Sequence, residues 1–146
     1  MDNDSAERNR DEMNSILLDT NLLIYAWDTS NRAKQQQSIQ IFEKYRNTIS
    51  LTTQNLSELA AVLLRKNIHP KEISEIVSTY ALLVPVLTME PADVQEALRA
   101  VSQYRMSFWD AQIWSIAKRS GLKLIFSEDG PIGQTIEGVR YENPLA

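Results

Sequence analysis

Residues 16–21 read Ile-Leu-Leu-Asp-Thr-Asn, an apolar run that ends in the carboxylate of Asp19. A short apolar run that leads directly into a helical pattern is typical of a buried strand. Here it predicts a strand over 16–19 and a helix over 21–27 that Thr20 caps. Open α/β sheets bind their ligands beyond the carboxyl ends of such strands. Asp19 is therefore the first candidate for a functional residue.

Outward from this stretch, strand and helix patterns alternate along the chain. The alternation predicts one α/β domain with a mostly parallel central sheet of four or five strands, flanked by helices on both faces. Ile39 and Phe42 are expected to face inward on a second helix, and Thr88 is expected to cap a later one. Further strands are predicted at 48–52, 84–87, 123–126 and 139–141, further helices at 53–66, 71–82, 91–104 and 107–120, and a loop at 127–137.

The first residues of the chain differ from the rest in composition. Residues 1–14 are mostly polar and contain no apolar run that could join a core, so we predict a disordered tail there and a folded domain over 15–146. The chain has a net charge of −4. Residues 1–13 contain five acids and two arginines, which accounts for −3 of that charge. The remainder is compatible with an RNA substrate but does not predict one.

Composition excludes several kinds of chemistry. The chain contains no cysteine and a single histidine, His69, so disulfides, thiolate metal sites and Ser-His-Asp or Cys-His catalysis lack their residues. No phosphate-binding glycine motif is present. No apolar stretch approaches the roughly 20 residues that cross a bilayer, so no membrane partner is predicted. We expect a cytoplasmic protein.

Three further acids, Glu58, Asp110 and Asp129, stand near the predicted junctions of strands and helices. Carboxylates that meet at one sheet edge repel one another by about 4 kcal/mol per pair at about 4 Å and an effective dielectric near 20. A hard divalent cation relieves this repulsion, and oxygen-only ligands favour Mg²⁺ or Mn²⁺. Thr20 and Asn21 would then orient Asp19 as hydrogen-bond donors.

Two of these acids have structural interpretations that concern helices. Asp19 could complement the positive end of the helix that follows it. Glu58 lies in a polar stripe with Gln54 and Arg65, as on a solvated helix face. Either reading would leave the residue without a catalytic role.

The other two acids also have structural alternatives. Asp110 stands three residues after Ser107, which fits a capping box. Asp129 lies in a Ser-Glu-Asp-Gly turn sequence, where Glu128 competes for the same role. Trp109 could stack on a base, but its helical spacing favours a place in the core.

Taken together, four motifs resemble those of PIN-domain ribonucleases, with the closest likeness to the VapC-type toxins of toxin–antitoxin pairs. The resemblance covers about residues 15–146. The motifs are Leu-Leu-Asp19-Thr-Asn, Leu-Ser-Glu58-Leu, Ser-Phe-Trp-Asp110-Ala and Phe-Ser-Glu-Asp129.

The resemblance implies a PIN fold, an Mg²⁺- or Mn²⁺-dependent endoribonuclease, a homodimer and inhibition by a small cognate antitoxin. Thr20 and Ser127 match the family's hydroxyl positions. Gly130 departs from the apolar residue common there, which predicts a looser loop around the last acid. The four acids Asp19, Glu58, Asp110 and Asp129 match the family's acidic set.

We therefore expect metal-assisted hydrolysis of an RNA phosphodiester. Asp19 and Asp110 would bind one ion directly, and Glu58 and Asp129 would complete the site or hold a second ion through water. The alternative is a non-catalytic PIN-like module that binds RNA or a protein. A phosphatase or phospho-acceptor domain also places an acid after an apolar strand, but Asn21 replaces the second acid that phosphatases need.

Overall fold

The structure, a computed structural model, describes residues 16–146, so the predicted tail over 1–14 lies outside the described residues. The described chain forms six helices and six strands. In order these are β1 (Ile16–Leu18), α1 (Thr20–Tyr25), α2 (Arg32–Tyr45), β2 (Ile49–Thr52), α3 (Thr53–Arg65), α4 (Pro70–Leu83), β3 (Val86–Leu87), α5 (Pro91–Tyr104), α6 (Phe108–Arg119), β4 (Leu124–Phe126), β5 (Thr135–Ile136) and β6 (Val139–Glu142).

The strands form one sheet in the order β3-β2-β1-β4-β6-β5. All neighbouring pairs are parallel except β5 and β6. This confirms the predicted α/β architecture with a mostly parallel sheet, which has six strands and not the four or five expected. The prediction of an unbroken loop over 127–137 is wrong, because Thr135–Ile136 pairs with β6 in a hairpin. A strand of two residues is too short to show an alternating pattern.

Two hydrophobic cores lie on opposite faces of the sheet, as the alternation of side chains along a strand requires. In β1, Ile16 and Leu18 contribute to the core beneath α1–α4. Leu17 points the other way, into the core beneath α5 and α6. Both faces of β1 are therefore buried, which explains why this strand reads as a continuous apolar run.

Three local predictions are wrong. Asp19, not Thr20, is the N-cap of α1, because the strand ends one residue earlier than expected. Glu90, not Thr88, caps α5. Ile39 was expected to face inward but is 39% exposed. Helical spacing marks a face of α2, but which neighbours cover that face is decided by tertiary packing.

Within residues 16–146, none of the helices is long and apolar enough to span a bilayer.

Candidate functional site

The candidate site lies where the order of strands reverses. From β1 the chain adds β2 and then β3 on one side, whereas β4 and β6 pair on the other side of β1. A crevice forms at such a switch point, beyond the carboxyl ends of the two strands that flank it. Asp19 follows β1, and Ser127 and Asp129 follow β4.

Asp19 is held by both flanking strands. Its backbone N–H donates to the carbonyl of Phe126 at 2.8 Å, which extends the pairing of β1 with β4. Its Oδ1 accepts from the backbone N–H of Thr20 at 2.7 Å, and its Oδ2 accepts from Ser127 Oγ at 2.9 Å. The carboxylate therefore does act at the start of α1, yet it also faces the crevice.

The surroundings of Asp19 disfavour its charged form. The pKa of this carboxyl is raised from its usual value of 3.8 to about 6, mainly by burial, and the nearby carboxylates of Asp110 and Glu58 act in the same direction. The hydrogen bonds from Ser127 and Thr20 oppose this shift without cancelling it. A partly buried acid beside two other acids carries the electrostatic strain that a bound cation relieves.

Asn55 links the ends of β1 and β2, and the sequence motifs did not single it out. Its side chain is fully buried and donates to the Leu18 carbonyl at 3.1 Å and to Thr20 Oγ1 at 2.9 Å. Its Oδ1 accepts from the backbone N–H of Thr52 at 2.8 Å as part of a capping box at α3. Asn55 thereby positions the residues on both sides of Asp19.

Asn55 thus fixes the hydroxyl of Thr20, which accepts a hydrogen bond rather than contacting Asp19. The second predicted donor, Asn21, also makes a different contact from the one expected. Its Nδ2 donates to Asp129 Oδ2 at 2.9 Å. The side chains of Thr20 and Asn21 therefore hold other parts of the site, and only the backbone of Thr20 donates to Asp19.

Glu58 lies on α3, partly buried, and its Oε1 accepts from Gln54 Nε2 at 2.9 Å. Gln54 itself is buried. A fully solvated helix face is therefore the wrong description of this stripe. The helix places Glu58 one turn beyond Gln54, where it borders the crevice.

Asp110 lies in the first turn of α6, where its backbone N–H donates to Ser107 Oγ at 3.2 Å. Ser107 is the N-cap, as the sequence suggested. The reciprocal bond of a capping box, in which the backbone N–H of Ser107 would donate to the Asp110 carboxylate, is not formed. The carboxylate of Asp110 remains directed toward the crevice.

The turn after β4 separates the roles of its two acids. Glu128 accepts hydrogen bonds from Tyr25 Oη at 2.8 Å and from Lys34 Nζ at 2.8 Å. It forms an ion pair with Lys34 and does not line the crevice. Asp129 does line it. Of the two acids that the sequence left in competition, Asp129 has the position of a site residue.

Gly130 makes this turn compact rather than loose, contrary to expectation. Its N–H donates to Ser127 Oγ at 3.0 Å. A Cβ at Gly130 would lie 2.9 Å from the ring of Tyr141, which is buried. A larger residue would therefore displace the turn that carries Asp129.

All four acids line one cavity of about 490 Å³, which we call the acid cavity. Its walls also include Thr20, Asn21, Arg65 and Trp109. Trp109 is 60% exposed, so its predicted place in the core is wrong. The tryptophan of α6 that is buried in the core is instead Trp114.

The donor set fits Mg²⁺ or Mn²⁺ by its chemistry, because every acidic ligand offers oxygen. Within residues 16–146, however, no three His, Asp or Glu side chains are arranged to hold an ion together. Three of the acids are already held by hydrogen bonds to Ser127, Gln54 and Asn21. Mg²⁺ usually keeps several waters and one or two direct carboxylates, which suits acids that are spread around a cavity.

Comparison with solved structures shows the same fold. The VapC20 toxin of Mycobacterium tuberculosis, described as cleaving the sarcin-ricin loop, aligns with a TM-score of 0.68 at 17% identity, over 80% of this chain and 92% of that one. A chain of the DNA-bound VapBC complex from Salmonella typhimurium aligns with a TM-score of 0.67 at 17% identity, over 90% and 99%. A chain of the DNA-bound VapBC2 complex from Rickettsia felis gives 0.61 at 16% identity, over 88% and 97%.

No curated protein sequence matches the chain. The sequence model of the PIN domain, by contrast, matches residues 16–134, which is most of the chain and includes all four acids. With the parallel sheet and the crevice at its switch point, this match confirms the resemblance seen in the motifs: the chain belongs to the PIN domain family.

Proposed function

We propose that this protein is an Mg²⁺- or Mn²⁺-dependent endoribonuclease and the toxin of a toxin–antitoxin pair. One observation carries the proposal: four carboxylates from four separate segments of a PIN domain line one cavity at the switch point of the sheet. The solved chains of similar fold come from a VapC toxin and from VapBC complexes. The first of these is described as a toxin that cleaves the sarcin-ricin loop, which lends support to an RNA substrate.

Each acid has a role in this mechanism. Asp19 and Asp110 would hold the ion, with Ser127 and the Thr20 amide keeping Asp19 in place. Glu58 and Asp129 would bind its waters and orient the attacking water or accept its proton, so no histidine is needed. When bound, the cation would lower the pKa of a water and neutralise charge that develops on the phosphate.

The alternative is a PIN domain that binds RNA or protein without cleaving it. It is favoured by the absence, within the described part of the chain, of three acidic or histidine side chains converging on one point. In that case the acids would be a surface feature, and a cation would change binding but not produce new RNA ends.

Cleavage of bacterial total RNA is expected only when Mg²⁺ or Mn²⁺ is present, and EDTA should stop it, because carboxylates alone provide no Lewis acid. Sequencing of the new RNA ends measures both activity and site preference. Asp110→Asn, purified in parallel, controls for contaminating nuclease and should be inactive. Cleavage that persists in EDTA, or equally in Asp110→Asn, would contradict the proposal.

The antitoxin would bind a surface apart from the acids. A groove of about 700 Å³ lies between α2 and α4, lined in part by Trp27, Ile39 and Phe42. Trp27 and Ile39 are more than a third exposed. Apolar side chains gathered in an open groove are typical of a protein interface.

We also propose that the protein is a cytoplasmic homodimer. Light scattering would measure the mass of the assembly in solution.

If this groove holds the antitoxin, Ile39→Asp should weaken inhibition of RNA cleavage by about tenfold, because an exposed apolar anchor is replaced by a charge. The measurement is the concentration of the small protein encoded beside this chain's gene that halves cleavage. Leu98→Asp, an exposed leucine on α5, is the matched control. Equal inhibition of both variants would place the partner elsewhere.

A further inference from the structure

The acid cavity does not stand alone. A second cavity of about 370 Å³ adjoins it, lined by the segment 104–107 and by the turn around Gly130. Asp110 and Asp129 border both cavities. These two acids therefore stand between two open spaces, not at the bottom of a closed pocket.

Each cavity carries one arginine. Arg65, near the end of α3, lines the acid cavity, and Arg105, directly after α5, lines the second cavity. Both are exposed, and neither forms an ion pair with another residue of 16–146. By contrast, Arg99 and Arg119 are paired with acids.

Arg105 also has an unusual backbone. Its φ of 57° places it in the left-handed region at the end of α5, a position where glycine is the common residue. An arginine in this conformation is strained, whereas a glycine is not. The conformation begins the segment that leads directly to Ser107 and Asp110.

Trp109 is the third residue, after Arg65 and Arg105, that could hold a ligand in these cavities. This residue is 60% exposed, more than any other large hydrophobic residue of 16–146 except Leu82, and it lines the acid cavity beside Asp110. Its ring lies 6.0 Å from that of Phe108, tilted by 55°. An aromatic face open to a cavity that also holds an arginine is the usual combination for binding single-stranded nucleic acid.

We propose that the two cavities form one track for a single RNA strand. Arg65 and Trp109 hold a nucleotide on one side of the scissile phosphate, through its phosphate and its base, and Arg105 holds a backbone phosphate on the other side. The arginines offset the repulsion between the acids and the RNA backbone. The inference rests on the proposed function, and it explains why cleavage would be internal: both cavities need a nucleotide.

Binding of RNA in EDTA tests the track without cleavage. The probe is a fluorescein-labelled pool of random-sequence, single-stranded RNAs of about 14 nucleotides, which is long enough to span both cavities. Fluorescence anisotropy measures its binding over a range of salt concentrations. Arg65→Gln and Arg105→Gln should each weaken binding several-fold. Each should also lower the slope of log affinity against log salt by about 0.7, because one phosphate contact is lost.

Trp109 should behave differently from the arginines. Trp109→Ala is expected to weaken binding by about tenfold with the salt slope unchanged, whereas Trp109→Phe retains most of the affinity, because stacking needs an aromatic face. Arg46→Gln, which removes an exposed arginine that lines the groove between α2 and α4, is the matched control and should bind as the wild type does.

The outcomes separate the track from the proposed function. If Arg65→Gln and Arg105→Gln bind as Arg46→Gln does, or if only one arginine matters, the track is overturned. Unchanged binding by Trp109→Ala together with a changed oligomeric state would make Trp109 a protein contact instead. Wild-type protein that binds through these residues but never cleaves RNA in Mg²⁺ would refute the nuclease and leave the track standing.

Discussion

Asp19→Asn is expected to reduce RNA cleavage by about 10³-fold or more and, at the same time, to raise the melting temperature of the metal-free protein. The loss of activity follows from the loss of a charged ligand that would hold the cation, an interaction worth several kcal/mol in the transition state. Asparagine keeps the shape of the side chain. It can still accept from the Thr20 amide, so the end of β1 should stay in place.

The gain in stability follows from the pKa of Asp19. Folding raises this pKa from 3.8 to about 6, so the folded state is less stable when Asp19 is charged than when it is protonated. As pH rises from below 3.8 to above 6, the folded state must give up a proton that it binds more tightly than the unfolded chain does, and stability falls. This rise in the pKa corresponds to roughly 3 kcal/mol, and the weaker hydrogen bond between Ser127 and the asparagine reduces the gain.

Thermal unfolding in EDTA at several pH values measures this effect. The variant should be more stable than the wild type at pH 7.5, and the difference should vanish only at about pH 3 or below, where Asp19 is protonated in both the folded and the unfolded state. Asp28→Asn is the matched control, because hydrogen bonds from Ser30 lower the pKa of Asp28 and its charge favours folding. A destabilised Asp19→Asn at pH 7.5 would show that the carboxylate is structural.

Asn55→Ala is expected to lower the free energy of unfolding by about 3 kcal/mol. The buried amide satisfies the Leu18 carbonyl, the Thr20 hydroxyl and the Thr52 amide, and its removal leaves these groups without partners. Because these groups flank Asp19, the stabilisation of the variant by Mn²⁺ should be weaker as well.

Urea unfolding of Asn55→Ala, with and without Mn²⁺, measures both effects. Asn31→Ala makes the same chemical change at the exposed cap of α2, where a single bond to the Lys34 amide is lost, and should cost about 1 kcal/mol. Equal losses at positions 31 and 55 would show that Asn55 is not the link between β1 and β2 that its contacts indicate.

Local patterns predicted the parts of the fold that depend on spacing alone. The apolar runs that became β1 and β4 are buried on both faces, so their composition identified them directly. Ser107 was recognised as a cap because that role requires only a hydroxyl at the right distance along the chain. β5 was missed because its pairing with β6 comes from a neighbouring strand, not from its own two residues.

Burial in the site could not be predicted in the same way. Trp109 and Trp114 both fit the helical pattern of α6, yet only Trp114 enters the core. Glu128 and Asp129 are adjacent acids in one turn, and the position of Lys34 on α2 decides which of them is paired. The role of Asn55 was not evident from the sequence, because it depends on the contact between β1 and α3 at its side chain.

The sequence by itself therefore determined which residues could form a functional site: an acid at the end of an apolar strand, and three more acids near later junctions of strands and helices. Only the tertiary structure decided that all four line one cavity and that Asp19 has a raised pKa. The physical reason is that residue type and spacing act along the chain, whereas burial and the distance between charges depend on segments far apart in sequence that meet at the switch point of the sheet.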